Sequence, residues 1–456
     1  MDNFKIVQLN KDNNINYFIQ EQSLTFEQQK VIDIVKNNNF SKESILFITG
    51  SAGTGKSTLL MALRNFFTIN KLNAVFLAPT GMGAINIQGQ TIHSFFRLQP
   101  RLLLDDILNV YKPPDVLKPI IKNLDYLIID EVSMVRADLF DTIDSILRRE
   151  RNSPFPFGGV RIILFGDLMQ LPPVVRNDEN IFFEFYETPF FFSSDVISNV
   201  DIFVFELKNI LRQDDEKFIQ FLQKIRNREL TKSDLEFVNS LCYRNKFQYE
   251  EYGIILSSTN YIAKNYNEQK LNEINEELKI YKGIIKGDFP IEELPTEYEL
   301  KLKKSAKVML TVNDTAKRWV NGTLGIIKEF EDDKIIVELE NKSVIEITKV
   351  MYMKYKYQIN EQKKIECVPV GSFFQYPLKL AWAMTIHKSQ GLTLNKITLN
   401  LGRGSFAHGQ TYVGLSRVRK LDNIKLSQEL KISDIIIANE VEDFYSNKRI
   451  GIKRLN

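Results

Sequence analysis

The sequence predicts an α/β protein built on two parallel sheets, with a small antiparallel unit inserted in the second half. Three observations carry that prediction. From Leu24 onward, short apolar runs alternate with amphipathic helical stretches, which argues for a parallel sheet with helices on both faces. A second alternating set begins near Leu207. Within it, residues 315–370 change to short β runs broken by Asn-Gly, Asp-Asp and Asn-Lys turns, the pattern of a small antiparallel barrel.

Composition bounds the reading. With 456 residues there is room for roughly two to four domains, each with its own core. The 44% hydrophobic and 26% charged fractions are those of a globular chain. The net charge is only +3, so a nucleic-acid partner would need a local basic groove. Cys242 and Cys367 make no disulfide framework and suit a reducing compartment. His93, His387 and His408 show no zinc-ligand spacing. Met1 to Lys5 lack the apolar core of a signal peptide, and no 18-residue apolar run is long enough to span a membrane. A cytoplasmic protein without membrane contact is the expectation.

Along the chain, residues 1–23 are polar and weakly patterned and read as an N-terminal arm. Strands are expected at 45–49, 75–78, 126–129, 161–165 and 202–206. A first domain is set at 24–200. The stretch 97–123, with Pro100, Pro113, Pro114 and Pro119, exceeds an ordinary loop and reads as a small insertion. The second domain is set at 201–314 and 371–456, around the 315–370 insertion. Its strands are expected at 253–257, 306–311, 378–384, 396–401 and 424–426.

After the first strand comes Gly50-Ser51-Ala52-Gly53-Thr54-Gly55-Lys56-Ser57, which fits G-x-x-x-x-G-K-[ST] in full, with a helical run from Thr58 behind it. Such a loop turns backbone N–H groups onto phosphate oxygens at a helix N-terminus. Lys56 would hold the β- and γ-phosphates and Ser57 would ligate Mg²⁺, so ATP and Mg²⁺ are the expected cofactors. No second loop of this kind occurs, so the second half should supply no nucleotide site of its own.

The run Leu127-Ile128-Ile129 delivers Asp130 and Glu131 at a strand's C-terminal end, where open α/β sheets place ligands. Asp130 would hold Mg²⁺ and Glu131 would orient and deprotonate the attacking water. A helix cap would use the same pair of residues. Gly166-Asp167-Leu168-Met169-Gln170-Leu171-Pro172-Pro173-Val174 follows another strand and suits a γ-phosphate sensor on a stiffened exit, or an ordinary Pro-terminated turn. Two further strand ends, with Pro79, Thr80 and Gly81 and with Thr91, His93, Ser94 and Phe95, combine small, hydroxyl and aromatic side chains. That mixture suits backbone-phosphate contacts and base stacking. A single His93 or Phe95 is more often core than ligand.

Together these segments resemble a superfamily-one helicase, specifically the Pif family of group B, 5′-to-3′ DNA helicases. The resemblance rests on Leu24-Thr25-Phe26-Glu27-Gln28, the phosphate loop, Asp130-Glu131-Val132-Ser133-Met134, Pro156-Phe157-Gly158-Gly159-Val160 leading into Gly166–Val174, Leu211-Arg212-Gln213, Leu380 to Gly391, and Tyr412-Val413-Gly414-Leu415-Ser416-Arg417. They stand in the family's order over residues 24 to 420; Gly414 departs from the Ala the family often has there. The resemblance implies two RecA-like domains, a wedge region at 97–123 and an SH3-like barrel at 315–370. It implies that Gln28 reads adenine, that Gln170 senses the γ-phosphate, and that Arg212 and Arg417 act as arginine fingers. It places the first-domain residues above, Pro173, Val174, Thr385, His387 and Lys388 along single-stranded DNA, with Ser389 and Gln390 linking that contact to the nucleotide. Trp382, inside an apolar strand, reads as core. The implied activity is ATP-dependent unwinding by a monomeric motor. The implied partners are single-stranded and forked or structured DNA, G-quadruplexes among the candidates.

Overall fold

The computed structural model describes residues 24–98, 113–175, 177–213, 215–243, 253–314, 316, 318–446 and 452–455. The expected arm at 1–23 and most of the expected wedge, Leu102 to Leu104 included, lie outside them.

The first half is a parallel sheet of β1 (Ser44–Gly50), β2 (Ala74–Ala78), β3 (Gln90–Thr91), β4 (Tyr126–Ile129), β5 (Arg161–Phe165) and β6 (Asp201–Leu207). Its order is β6-β1-β5-β4-β2-β3, and the C-terminal strand Ile452–Leu455 adds to the β6 edge. Continuous apolar runs are required because both faces are covered. Alternation decides which face each residue meets: Ile45, Phe47, Leu127, Ile129, Ile162 and Leu164 enter one core cluster. Leu46, Ile48, Ile128, Ile163 and Phe165 enter the other, under the helix Lys56–Ile69. The larger cluster runs on through Leu256, Ile386, Leu399 and Val413 of the second half. One apolar core thus spans the junction between the halves.

The second half opens after β6 with the helices Glu216–Arg226 and Lys232–Cys242, which pack on the helix Gln410–Leu415 and the strand Ile424–Leu426. It continues through β7 (Ile254–Ser257) and the helix Asn260–Glu273, then leaves its sheet for a long antiparallel excursion. This holds β8 (Lys279–Lys282), β9 (Ile284–Gly287), β10 (Glu299–Leu302), β11 (Lys307–Leu310), β12 (Leu324–Phe330), β13 (Lys334–Leu339), β14 (Val344–Thr348), β15 (Val350–Ile359), β16 (Ile365–Gln375) and β17 (Leu378–Leu380). They form a five-stranded sheet β14-β13-β12-β11-β17, a three-stranded sheet β15-β16-β9 and the pair β10-β8. The chain then returns through β18 (Ala383–Thr385), β19 (Ile397–Asn400) and β20 (Ile424–Leu426). These complete the parallel sheet β18-β7-β19-β20.

Strand pairing moves three expected boundaries. β6, placed at the head of the second domain by a division at residue 200, pairs in parallel with β1 over its whole length. The strand Ile452–Leu455, assigned to the second domain with the rest of 371–456, pairs with β6. The apolar runs at 306–311 and 378–384 were expected in the second parallel sheet. Instead β11 and β17 pair with each other antiparallel, and only Ala383–Thr385 lies beside β7. The excursion therefore runs from 279 to 380 rather than 315–370. A short apolar run has the same composition in either sheet, and only its long-range partner decides.

Candidate active site

The C-terminal ends of β1, β2, β4 and β5 share one edge of the first sheet, and the phosphate loop emerges there from β1. Gly53 and Gly55 adopt φ of +89° and +84°, which glycine reaches without penalty. A β-carbon at Gly53 would stand 2.4 Å from Arg212 Cβ, so side-chain loss is also what lets the 211–213 segment close over the loop. Leu211 N donates to Gly53 O at 2.8 Å. Lys56 Nζ lies back on the loop, donating to Gly50 O at 2.7 Å and Ser51 O at 3.1 Å. Burial pulls its pKa down, while Asp167, Glu131 and Asp130 oppose the shift. Ser57 and Thr58 stand exposed in the first helical turn. Gln28 is almost fully buried; its Nε2 donates to Gly55 O at 3.1 Å and its Oε1 accepts from Thr25 N at 2.9 Å. Its amide thus makes one bond to the phosphate loop and one to the helix cap.

At the end of β4, Glu131 sits in the left-handed region at φ +50°, a position costing a non-glycine residue about 1 kcal/mol or more. Its N–H donates to Asp130 Oδ1 at 2.9 Å, and its Oε2 accepts from Gln390 Nε2 of the second half at 3.0 Å. Burial, then the adjacent Glu131, lifts the Asp130 carboxyl to about 7. Burial raises Glu131 as well, against the pull of Lys56 and Arg417. Asp130 and Glu131, both half-buried, share this strand-end edge with the loop that carries the exposed Ser57 hydroxyl, a set of hard oxygens that fits a divalent cation.

At the end of β5, Asp167 is fully buried and carries several groups at once. Gln170 Nε2 donates to its Oδ2 at 3.3 Å, and Arg226 Nη2 lies 3.1 Å from its Oδ1. Gly409 touches the same loop: a β-carbon there would fall 2.5 Å from Met169 O, and its φ is +69°. His408 Nδ1 accepts from Ala438 N at 2.9 Å, so the ring's Nε2 carries the proton and donates to Leu168 O at 2.7 Å. Of these, Arg226 and Gly409 were not singled out from the sequence, His408 was named only for lacking zinc-ligand spacing, and Asp167 was marked with Gln170 in the strand-end segment.

The two arginines behave differently from extended fingers. Arg212 Nη1 donates to Ser416 O at 3.3 Å. Arg417 is 1% exposed, and its guanidinium donates to Val413 O, Ser389 O, Leu392 O and Ser416 Oγ, all of its own half. Burial, then the neighbouring Arg212, lowers its pKa to about 9. The Arg417 guanidinium is thus held within its own half, with its charge acting on Glu131 of the other. Each own-half carbonyl it holds would have to be released for it to extend.

The expected strand contacts share one local device. Thr80, Thr91 and Thr385 are N-caps of the short helices Gly81–Asn86, Ile92–Phe96 and Ile386–Ser389, each hydroxyl accepting from the N–H three residues on. Pro79, Gly81, His93, Ser94 and His387 are half-buried around them, and Lys388 is exposed. Burial lowers the pKa of His93 and His387 below the ordinary imidazole value. Phe95 is corrected: it is 4% exposed and meets Phe96 and Tyr357 edge-on at 4.8 and 5.9 Å, so its ring is core and offers no face for a base. Pro173 is buried and Val174 is 62% exposed. Trp382 is half-buried against the core of the β excursion, as expected.

A phosphate loop, a strand-end acidic pair and a sensor loop on one parallel sheet, closed by a second parallel sheet, define the P-loop class in its two-lobed form. A family model described as PIF1-like helicase matches residues 23–236. The chain is 32% identical over 422 residues to the ATP-dependent DNA helicase PIF1 of Danio rerio, covering 89% of this chain and 61% of that one. It is 30% identical over 409 residues to the ATP-dependent DNA helicase Pif1 of Campylobacter jejuni, covering 85% and 90%. Unliganded Pif1 from Bacteroides sp superposes with a TM-score of 0.84 at 36% identity, over 93% of this chain and 96% of that one. The same relative with ADP-AlF4 gives 0.85 at 35% identity, and bound to ssDNA 0.65 at 36%, each over 95% of this chain and 99% of that one. The chain belongs to the PIF1-like helicase family.

Proposed function

We propose that this protein is an ATP-dependent, 5′-to-3′ DNA helicase that translocates on single-stranded DNA, hydrolysing ATP between its two parallel-sheet halves. The observation that carries the reading is the convergence at one junction of Lys56, Asp130, Glu131 and Gln170 from the first half with Arg212, Gln390 and Arg417 from the second. Lys56 exchanges its two loop carbonyls for phosphate oxygens. Glu131 orients water and takes its proton, and its raised pKa keeps the carboxylate basic enough for that role. Gln170 contacts the γ-phosphate, and Arg212 and Arg417 supply positive charge as it is transferred. Mg²⁺, held by Ser57 and Asp130, supplies charge neutralisation when bound.

A single chain contains both walls of the cleft, which supports a monomeric motor. The capped helices at Thr80, Thr91 and Thr385 supply strand contacts from both halves, together with the exposed Lys388. The greater likeness to the unliganded and ADP-AlF4 forms than to the ssDNA-bound form supports a shift of the bodies when a strand enters. Strand displacement with ATP and Mg²⁺ on two matched duplexes, one with a 5′ tail and one with a 3′ tail, tests the proposal. Displacement from the 5′ tail alone is expected; displacement from the 3′ tail alone overturns the polarity, and none from either overturns the helicase reading.

A further inference from the structure

We propose that Arg226, Asp167 and Tyr412 form a positioning relay that sets Gln170 against the phosphate loop and reports its state to the second half. The relay deepens the proposed function and rests on its reading of Gln170 as the γ-phosphate sensor. Asp167 is fully buried, and each of its carboxylate oxygens has more than one partner. Oδ1 accepts from Met169 N at 3.2 Å and meets Arg226 Nη2 at 3.1 Å. Oδ2 accepts from Gln170 Nε2 at 3.3 Å and from the Tyr412 hydroxyl at 3.5 Å. The same hydroxyl accepts from Ala52 N, inside the phosphate loop, at 3.2 Å. One phenolic oxygen therefore bridges the nucleotide loop and the residue that holds the sensor.

Its location across the junction gives the relay a direction. Ala52, Asp167 and Gln170 belong to the first half, whereas Arg226 ends the helix Glu216–Arg226 and Tyr412 lies in the helix Gln410–Leu415. That second helix leads directly to Ser416 and Arg417, and Ser416 O is the acceptor for Arg212. A shift of Tyr412 therefore reaches both arginines through a single turn of chain.

A buried ion pair is a poor device for stability, because desolvation offsets most of its attraction, but it fixes a register sharply. Asp167 in turn holds the Arg226 guanidinium firmly protonated against its own burial. A small cavity lined by Met169, Ile225, Arg226, Gly409 and Tyr412 borders the pair. Gln170 Nε2 carries two N–H donors; the one given to Asp167 Oδ2 orients the amide and leaves the other for a γ-phosphate, so a shift of Asp167 turns the sensor.

The decisive variant is Tyr412→Phe, which deletes one hydroxyl and keeps the ring. Steady-state ATPase with and without single-stranded DNA and base pairs displaced per ATP are measured for it, for Arg226→Lys and for Arg226→Gln. For Tyr412→Phe we expect KM for ATP within about twofold of wild type, kcat lowered about tenfold and fewer base pairs displaced per ATP. Arg226→Lys, which keeps the charge, should retain more of the coupling than Arg226→Gln. Wild-type kcat and coupling in Tyr412→Phe overturns the relay. So does a loss confined to thermal stability, with kcat and coupling unchanged per folded molecule. Wild-type protein without strand-stimulated hydrolysis overturns the proposed function instead, so the two failures are distinguishable.

Discussion

Glu131 leaves its strand with a left-handed backbone, and the turn aims its carboxylate at a glutamine of the opposite half. Exchanging that carboxylate for an amide of equal size removes the base and little else. Glu131→Gln should therefore bind ATP within a few-fold of wild type while kcat falls by about 10²–10⁴, the usual span for a lost general base. Equilibrium binding of a fluorescent ATP analogue beside steady-state hydrolysis checks both halves of that expectation. Hydrolysis at the wild-type rate would move the base elsewhere. The positions of Lys56, Asp130 and Glu131 were legible in the sequence because their signal is local: a loop of fixed spacing and a strand end. Arg226 and Tyr412 were not legible as partners of Asp167, which lies 59 and 245 residues away from them in sequence. Phe95 shows the opposite limit, since an aromatic at a strand end reads alike whether its ring faces a base or the core.

Among the elements, the helix Ile386–Ser389 is the shortest with two duties. Its cap Thr385 and its exposed Lys388 stand where a strand contact is proposed, and Gln390, the residue after it, donates to Glu131. A pull on Lys388 would therefore reach Glu131, the proposed base, within two residues. Gln390→Ala should bind ATP as wild type does but lose most of the stimulation that single-stranded DNA gives to hydrolysis. Coupling between two sites commonly lies in the range of about 5- to 150-fold, so the loss is readily measured by titrating DNA into an ATPase assay. Undiminished stimulation would place the coupling in another element. The three threonine caps fell inside segments that the sequence marks, because capping is written in the residue itself. The extent of the β excursion was not legible. β11 and β17 look like buried parallel strands until their antiparallel pairing removes them from the second sheet.

The excursion also closes the molecule on itself. The hairpin β15–β16 reaches back to the first half, where Tyr357 OH accepts from Phe76 N at 2.9 Å and donates to Phe76 O at 3.3 Å, while Tyr357 N donates to Gln90 Oε1. Asn73 pins the same hairpin at its turn, accepting from Ile365 N at 3.1 Å and donating to Lys363 O at 3.3 Å. Phe76 and Gln90 lie on β2 and β3, the strands that lead to Pro79–Gly81 and Thr91. The hairpin is therefore docked beside the first-half residues proposed to grip the strand. If a strand enters only when this contact opens, each hydrogen bond in the dock opposes DNA binding. Tyr357→Phe removes one hydroxyl and leaves a buried N–H and C=O of Phe76 without their partner, at a cost of about 1 kcal/mol or more to the docked state. Single-stranded DNA should then bind about fivefold more tightly, since about 1.4 kcal/mol corresponds to a tenfold change in affinity. The same substitution should lower the thermal midpoint of the DNA-free protein. Fluorescence anisotropy with a labelled oligonucleotide, beside a melting curve, separates the alternatives. A lower midpoint with tighter binding identifies the hairpin as a dock that must open. A lower midpoint with unchanged affinity means that the hairpin stays seated while the strand is bound, and the shift of bodies must then occur at the junction of the two parallel sheets.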